Sequence, residues 1–284
     1  MKNSAILLVQ CPDQMGLDAA IADFIYRHGG NILRFELHQT EVDRFYFARI
    51  EWDLAGFDLA PRDFRESFGP IAEKFSMQFR LALSSYRPRV AIFVSKFDHC
   101  LVDLLYRQRI GELACDVQFI VSNHADAKRH ADFYGIPYHM ISVTKETKPE
   151  AERRELELIR EQRIDLIVLA RYMQVLSGEF IRDYPQQIIN IHHSFLPAFV
   201  GPKPHLQAYE RGVKLIGATA HYVTEALDDG PIIEQGVARI SHRDALEELV
   251  EKGRDLEKVV LSRAVRWHIE NRILLHGNKT IIFE

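Results

Sequence analysis

The chain reads as an α/β protein in two parts: a small antiparallel sheet with two helices, then a larger, doubly wound and mostly parallel sheet. Three observations predict this. Residues 1–84 switch between strand and helix periodicity in the order βαββαβ. From residue 88 onward, short continuous apolar runs alternate with helical stretches, the rhythm of βα units. Between the two lies Ser84-Ser85-Tyr86-Arg87-Pro88-Arg89, short and polar, which reads as a linker. The expected domains are therefore 1–84 and 85–284.

In the first part, residues 5–9 are an apolar strand and Cys11-Pro12-Asp13-Gln14-Met15-Gly16 is a turn. From Leu17, the residues Ala20, Ile21, Phe24 and Ile25 keep helical spacing until Gly29-Gly30 ends the helix. Residues 31–40 alternate through Ile32, Leu33, Phe35 and Leu37 as a strand, and residues 45–50 form another. A second helix is expected from Pro61, with Phe64, Phe68 and Ile71 on one face, and a last strand over 75–83. This order predicts an antiparallel sheet covered on one face by two helices. Its other face and its edges are left for a partner, most simply another copy.

In the second part, strands are expected at 90–94, 117–121, 137–141, 166–170 and 188–192, with helices at 101–106, 125–134 and 149–163. Residues 217–223 and 232–240 read as a strand pair joined by a loop, and 245–276 as one long helical stretch, interrupted if anywhere at Gly253.

The chain has 284 residues, 47% hydrophobic and 27% charged, with a net charge of −4. That balance argues against a nucleic-acid partner, which needs a basic face, but leaves room for a small anionic ligand in a local basic pocket. The cysteines Cys11, Cys100 and Cys115 are odd in number and lack a CxxC pair, so no disulfide framework or cysteine-rich zinc site is expected and a reducing cytoplasm fits. The N-terminal apolar run is too short for a signal peptide, with Asp13 close behind it, and no stretch approaches membrane-spanning length. The expected protein is cytoplasmic, with no membrane association.

The run from Asn190 to Phe199, NIHHSFLPAF, places polar groups at the end of a buried strand. Alternation puts Asn190 and His192 on one face and His193 on the other. In an open parallel sheet ligands collect beyond the C-terminal strand ends. An asparagine amide there can donate to a developing oxyanion, and a histidine can move a proton near neutral pH. On spacing alone, both serve equally well to satisfy backbone groups in the following turn. His193 reads as structural and Ser194 as closing the turn. Downstream, Leu227-Asp228-Asp229-Gly230-Pro231 is by its composition a turn; it gains interest because Thr219 and His221 precede it and Glu234 and Gln235 follow. The histidines at 192, 193, 205 and 221 form no helical i, i+4 pair, so no metal is expected, and no cofactor.

The segment around Asn190, His192 and Pro197, followed at this distance by Leu227 to Pro231, resembles the folate-dependent formyltransferase superfamily over residues 88–284. The resemblance implies Asn190, His192 and Asp228 as the catalytic set. It implies that Arg171, Met173, Gln174, Val175 and Leu176 belong to a loop that holds the pterin ring of a folate substrate. The family pattern places a histidine one position beyond His205, where this chain has Leu206; His205 is expected on the substrate side. The opening Cys11-Pro12-Asp13-Gln14 with Gly16-Leu17 resembles an ACT domain, a ferredoxin-like module that often binds amino acids. There Asp13, Gln14 and Gly16 precede a helix N-terminus able to hold a carboxylate. An ACT module ahead of this catalytic domain is similar to the formyltetrahydrofolate deformylases, which implies a homo-oligomer, dimer or tetramer, feeding one-carbon balance and purine synthesis. The related transformylases cradle an acceptor phosphate in a glycine-rich loop; the stretch from Phe93 to His99 has no glycine, and Asp98 is expected to repel phosphate. Water in place of an amine implies hydrolysis of 10-formyltetrahydrofolate, with Asn190 and His192 on the oxyanion and Asp228 orienting water. The alternatives are transfer of the formyl group to an amine such as glycinamide ribonucleotide, and a folate-binding regulator without catalysis.

Overall fold

The structure, a computed structural model, describes residues 3–198 and 204–284; Phe199, the last residue of the histidine motif, and the N-terminal Met1 and Lys2 lie outside them. The chain divides into two compact units, residues 1–87 together with 270–284, and residues 88–269. The last stretch of the chain, residues 270–284, therefore returns to the first unit, so the division is not a single cut along the sequence.

In the first unit the elements are β1 (Ser4–Pro12), α1 (Leu17–Arg27), β2 (Asn31–Gln39), β3 (Phe45–Asp53), α2 (Phe64–Lys74) and β4 (Gln78–Leu83). The sheet order is β2-β3-β1-β4, antiparallel throughout. Period-two alternation sends Leu7, Val9 and Cys11 of β1 and Ala48, Ile50 and Trp52 of β3 to the helical side. There they meet Ile21 and Phe24 of α1 and Phe64 and Phe68 of α2. The second helix and the last strand each begin three residues later than their periodicity suggests, since Phe75 caps α2.

The second unit contains β5 (Arg89–Val94), α3 (His99–Arg109), β6 (Asp116–Ser122), α4 (Lys128–Tyr134), β7 (Tyr138–Met140), α5 (Lys148–Glu161), β8 (Leu166–Leu169), α6 (Gly178–Asp183), β9 (Ile188–His192), α7 (Pro204–Arg211), β10 (Leu215–Tyr222), β11 (Ile232–Arg239) and α8 (Leu246–Ile269). Its seven strands run in the order β11-β10-β9-β8-β5-β6-β7. Strands β5 to β9 are parallel, and β10 and β11 are antiparallel additions at one edge. The order reverses at β5, which lies between β8 and β6, so the loops after β5 and β8 part there and leave a crevice. The short helices α6 and α7 carried no periodic signal in the sequence. The expected break of α8 at Gly253 is absent. A Cβ on that residue would lie 2.1 Å from His205 Nε2, so glycine is there to admit the imidazole of α7.

The helical reading of residues 270–276 is overturned. Asn271 takes a left-handed φ of 54°, and the chain turns into a hairpin of β12 (Ile273–His276) and β13 (Lys279–Ile282). Phe283, with Leu274 and Ile281, seals Leu8 and Phe47 on the sheet face away from the helices. Buried Arg49 donates from Nε to the Asn271 carbonyl at 3.1 Å. The centre of the face expected to need a second copy is thus covered by the chain's own C-terminal hairpin, while Arg34 and His38 of β2 and Gln78 and Arg80 of β4 stay exposed.

Candidate active site

The antiparallel pairing of β10 with β9 sets His221 opposite Asn190 and Thr219 opposite His192. Asn190 Nδ2 donates to His221 Nε2 at 3.2 Å, because His221 Nδ1 is committed as donor to the Tyr222 carbonyl at 2.9 Å. After β10 the chain turns back at residues 227–231. Gly230 is required there, since a Cβ would fall 1.7 Å from the Tyr222 carbonyl oxygen. Asp228, at a left-handed φ of 54°, swings its carboxylate between the two histidines. Oδ2 lies 3.2 Å from His192 Nδ1 and Oδ1 3.7 Å from His221 Nε2. Hydrogen bonding to His192 holds the Asp228 carboxyl well below the usual carboxylate range.

An ionised Asp228 at Nδ1 keeps the proton of neutral His192 on that nitrogen and leaves Nε2 with its lone pair. That Nε2 is buried and makes no hydrogen bond among the described residues, and the ring lines a cavity of about 840 Å³. Asn190 and Asp228 line the same cavity. Its apolar wall is formed by the loop after β8 and by Leu227: Met173, Val175 and Leu227 are 54%, 57% and 65% exposed, an apolar surface able to take a flat apolar ligand. The loop is pinned through Met173 N–H, which donates to Ser95 Oγ at 3.0 Å, while Ser95 Oγ donates to Asn123 Oδ1 at 2.7 Å. Gln174 and Leu176 line the cavity as well.

The opposite end of the cavity departs from the sequence expectations. Arg171, also at a left-handed φ of 64°, is buried, with Nε 3.3 Å from Glu257 Oε2 of α8. The same Glu257 oxygen accepts from His99 Nε2 at 2.8 Å. Burial alone would raise Glu257, but His99 and Arg171 outweigh it and hold the carboxyl below its ordinary value. Asp98 does not face the cavity: Arg129 and His130 hold it at 3.1 and 2.8 Å, and its neighbours Phe97 and His99 line the cavity instead. His193 is not turned away either. Strand alternation ends at His192, and the next ring lines the cavity with its centroid 5.3 Å from that of His192. Burial, reinforced by Arg171, pushes His193 down to about 3, so it stays neutral. His205 lines the cavity above Gly253, its Nε2 without a hydrogen-bond partner among the described residues. Ser194 does close the turn, its Oγ donating to the Ala198 carbonyl at 2.8 Å.

His99, Cys100 and Glu257 bring their ligand atoms within 4.8 Å of one another. The set suits a metal poorly, because burial raises the Cys100 thiol well above its ordinary value and Glu257 is already shared between Arg171 and His99.

A Formyl transferase family model matches residues 88–265, the whole span that carries this cavity. The chain is 50% identical over 280 residues to a formyltetrahydrofolate deformylase of Synechocystis, covering 99% of this chain and 98% of that one. It is 48% identical to the Bacillus subtilis deformylase, covering 98% and 93%. Among solved structures, a formyltetrahydrofolate deformylase from Pseudomonas syringae superposes with a TM-score of 0.98 at 45% identity, over 100% of this chain and 95% of that one. This chain belongs to the formyltetrahydrofolate deformylase family. A glycinamide ribonucleotide transformylase from Symbiobacterium toebii, by contrast, matches over 72% of this chain and 98% of its own, with a TM-score of 0.67 at 28% identity.

Within this deformylase family member, Asn190, His192 and Asp228 converge, and Arg171, Met173 to Leu176 and His205 line the same cavity. Asp13, Gln14 and Gly16 belong to the first unit, where they line a smaller pocket with Leu17, Gln39 and Tyr46. Sequence reasoning missed His221 as a partner of Asn190, and missed His99 and Glu257 altogether. His221 had a weak signal, a histidine on the strand before the Asp-Asp-Gly-Pro turn; Glu257, on a polar-rich helix, had none.

Proposed function

We infer that this chain hydrolyses 10-formyltetrahydrofolate to formate and tetrahydrofolate. The observation that carries the mechanism is His192, whose ring lines the cavity with Asp228 at Nδ1 and with Nε2 unpartnered among the described residues. The pterin lies against Met173 to Leu176. Water at His192 Nε2 gives up a proton as its oxygen attacks the formyl carbon, and the Asn190 amide donates to the oxyanion. Asp228 stabilises the imidazolium, which then returns the proton to the leaving nitrogen as the C–N bond breaks. This gives Asp228 a role through His192 rather than on water. Purified protein given 10-formyltetrahydrofolate and no amine should release formate; release only on adding glycinamide ribonucleotide would favour transfer instead.

The first unit reads as a ferredoxin-like ACT module for an amino-acid effector and for assembly. The pocket at Asp13, Gln14 and Gly16 supports this: Gly16 stands at the N-terminus of α1, and Gln39 Nε2 donates to Asp13 Oδ1 at 2.9 Å. With the centre of one sheet face covered by the hairpin, the surface for a homo-oligomer, dimer or tetramer, is the edge strand β2, where Leu33 and Leu37 are exposed. The enzyme so read works in the cytoplasm and feeds one-carbon balance and purine synthesis. Among the described residues no helix is long and apolar enough to cross a membrane.

A further inference from the structure

We propose that the Arg171 end of the cavity is a receiving site for the product anion, formate; this rests on the deformylase reading above. Arg171 is 9% exposed, and its Nε and Nη1 are buried without a hydrogen bond among the described residues, although Nε lies 3.3 Å from Glu257 Oε2. Unmade donors on a buried guanidinium are costly, and a planar carboxylate is the group whose two oxygens match them. Phe97 packs against both guanidinium groups, its ring 5.5 Å from the Arg171 guanidinium carbon and 5.6 Å from that of Arg254.

Hydrolysis makes the anion at the other end. The water oxygen forms the new C–O bond, the C–N bond breaks, one water proton goes to the nitrogen, and the other leaves formic acid through His192. Neutral His193, its ring next to that of His192 and under the influence of Arg171, lies between the two ends with an N–H to offer the departing carboxylate. Glu257 tunes the receiver. Because it already balances Arg171, the site holds a small monoanion weakly and rejects a phosphate dianion. Weak holding suits a product, with a dissociation constant on the order of 1 mM.

The test is a titration of the full-length protein, without folate, with [13C]formate, following the line width of the formate resonance, and in parallel with inorganic phosphate. Wild type should bind formate saturably and not phosphate. Arg171→Lys, which keeps the charge but loses Nη1, should weaken formate by about tenfold, the order expected for one charge-assisted hydrogen bond. Glu257→Gln should tighten formate and admit phosphate. If Arg171→Lys does not fold, Glu257→Gln decides alone: tighter binding supports the site, and unchanged or weaker binding overturns it. No saturable binding by wild type overturns it, as does binding that Asn190→Ala abolishes while Arg171→Lys and Glu257→Gln leave it unchanged, because formate would then sit at the oxyanion end. Turnover is measured on the same wild-type preparation. Formate binding without turnover would fault the deformylase reading and leave the site; turnover without formate binding would fault the site and leave the reading.

Discussion

The two ends of the cavity handle polar groups in opposite ways. At the β9–β10 end, Asp228 and His221 satisfy one another's neighbours so that a single basic nitrogen, His192 Nε2, is left over. Beside β5 and α8, Glu257 is shared between His99 and Arg171, so opposite charges offset and what remains is a set of donors. The first arrangement is suited to moving a proton, the second to holding an anion. A cavity with histidines and carboxylates at both ends is thus divided by hydrogen-bond pairing rather than by residue type.

The strongest way to break this division is at the proton-moving end. His192→Ala, Asp228→Asn and Asn190→Ala should each lower kcat on the order of a hundred- to a thousand-fold with little change in KM. His193→Ala, which removes a neutral ring, should lose far less; an equal loss, in protein shown folded by circular dichroism, would move the chemistry away from His192. Next comes His221→Ala, which frees the Asn190 amide to rotate. Losing one orienting hydrogen bond should cost about tenfold in kcat, and steady-state kinetics that show a change only in KM would refute the positioning role. At the apolar wall, Val175→Ser should raise KM for 10-formyltetrahydrofolate by about fivefold and spare kcat, as the loss of part of a side chain's apolar burial requires.

The smallest effect on turnover sharpens the contrast between two buried carboxylates. Glu257 has cations beside it; Glu155, 1% exposed, has the Tyr172 hydroxyl donating to it at 2.8 Å. Burial pushes Glu155 up to about 7, with Tyr172 opposing. Its folded-state value is raised above that of the unfolded chain, so the protonated form stabilises the fold fully below about 4.5 and this contribution is lost as pH rises through 7. Glu155→Gln should therefore flatten the fall in melting temperature between those values, a difference of roughly 1–3 kcal/mol. A variant that melts with an unchanged pH profile would show that Glu155 is already charged.

Local periodicity made most of the second unit legible. Its seven strands and the strand-end position of Asn190 and His192 follow from short apolar runs. His193 was misplaced because alternation was carried one residue past the strand, where backbone no longer dictates direction. Asp98 was misjudged for a similar reason: in a loop, adjacent residues face where their partners pull them, and Arg129 and His130 draw this one away. The hairpin of residues 273–282 was hidden because the apolar run after α8 suits strand and helix equally, and Asn271 alone marks the turn.

By itself, the sequence determined the order of the elements, the two periodicities that define both sheets, and the presence of an amide, a histidine and an aspartate suited to acyl chemistry. These are local properties, written within a few turns of chain. Only the tertiary structure decided that His221 stands opposite Asn190, that α8 brings Glu257 to His99 and Arg171, and that the C-terminus packs on the first sheet. Each depends on strand register or on contacts between residues far apart in sequence, and register is set by how whole faces bury together rather than by any single residue.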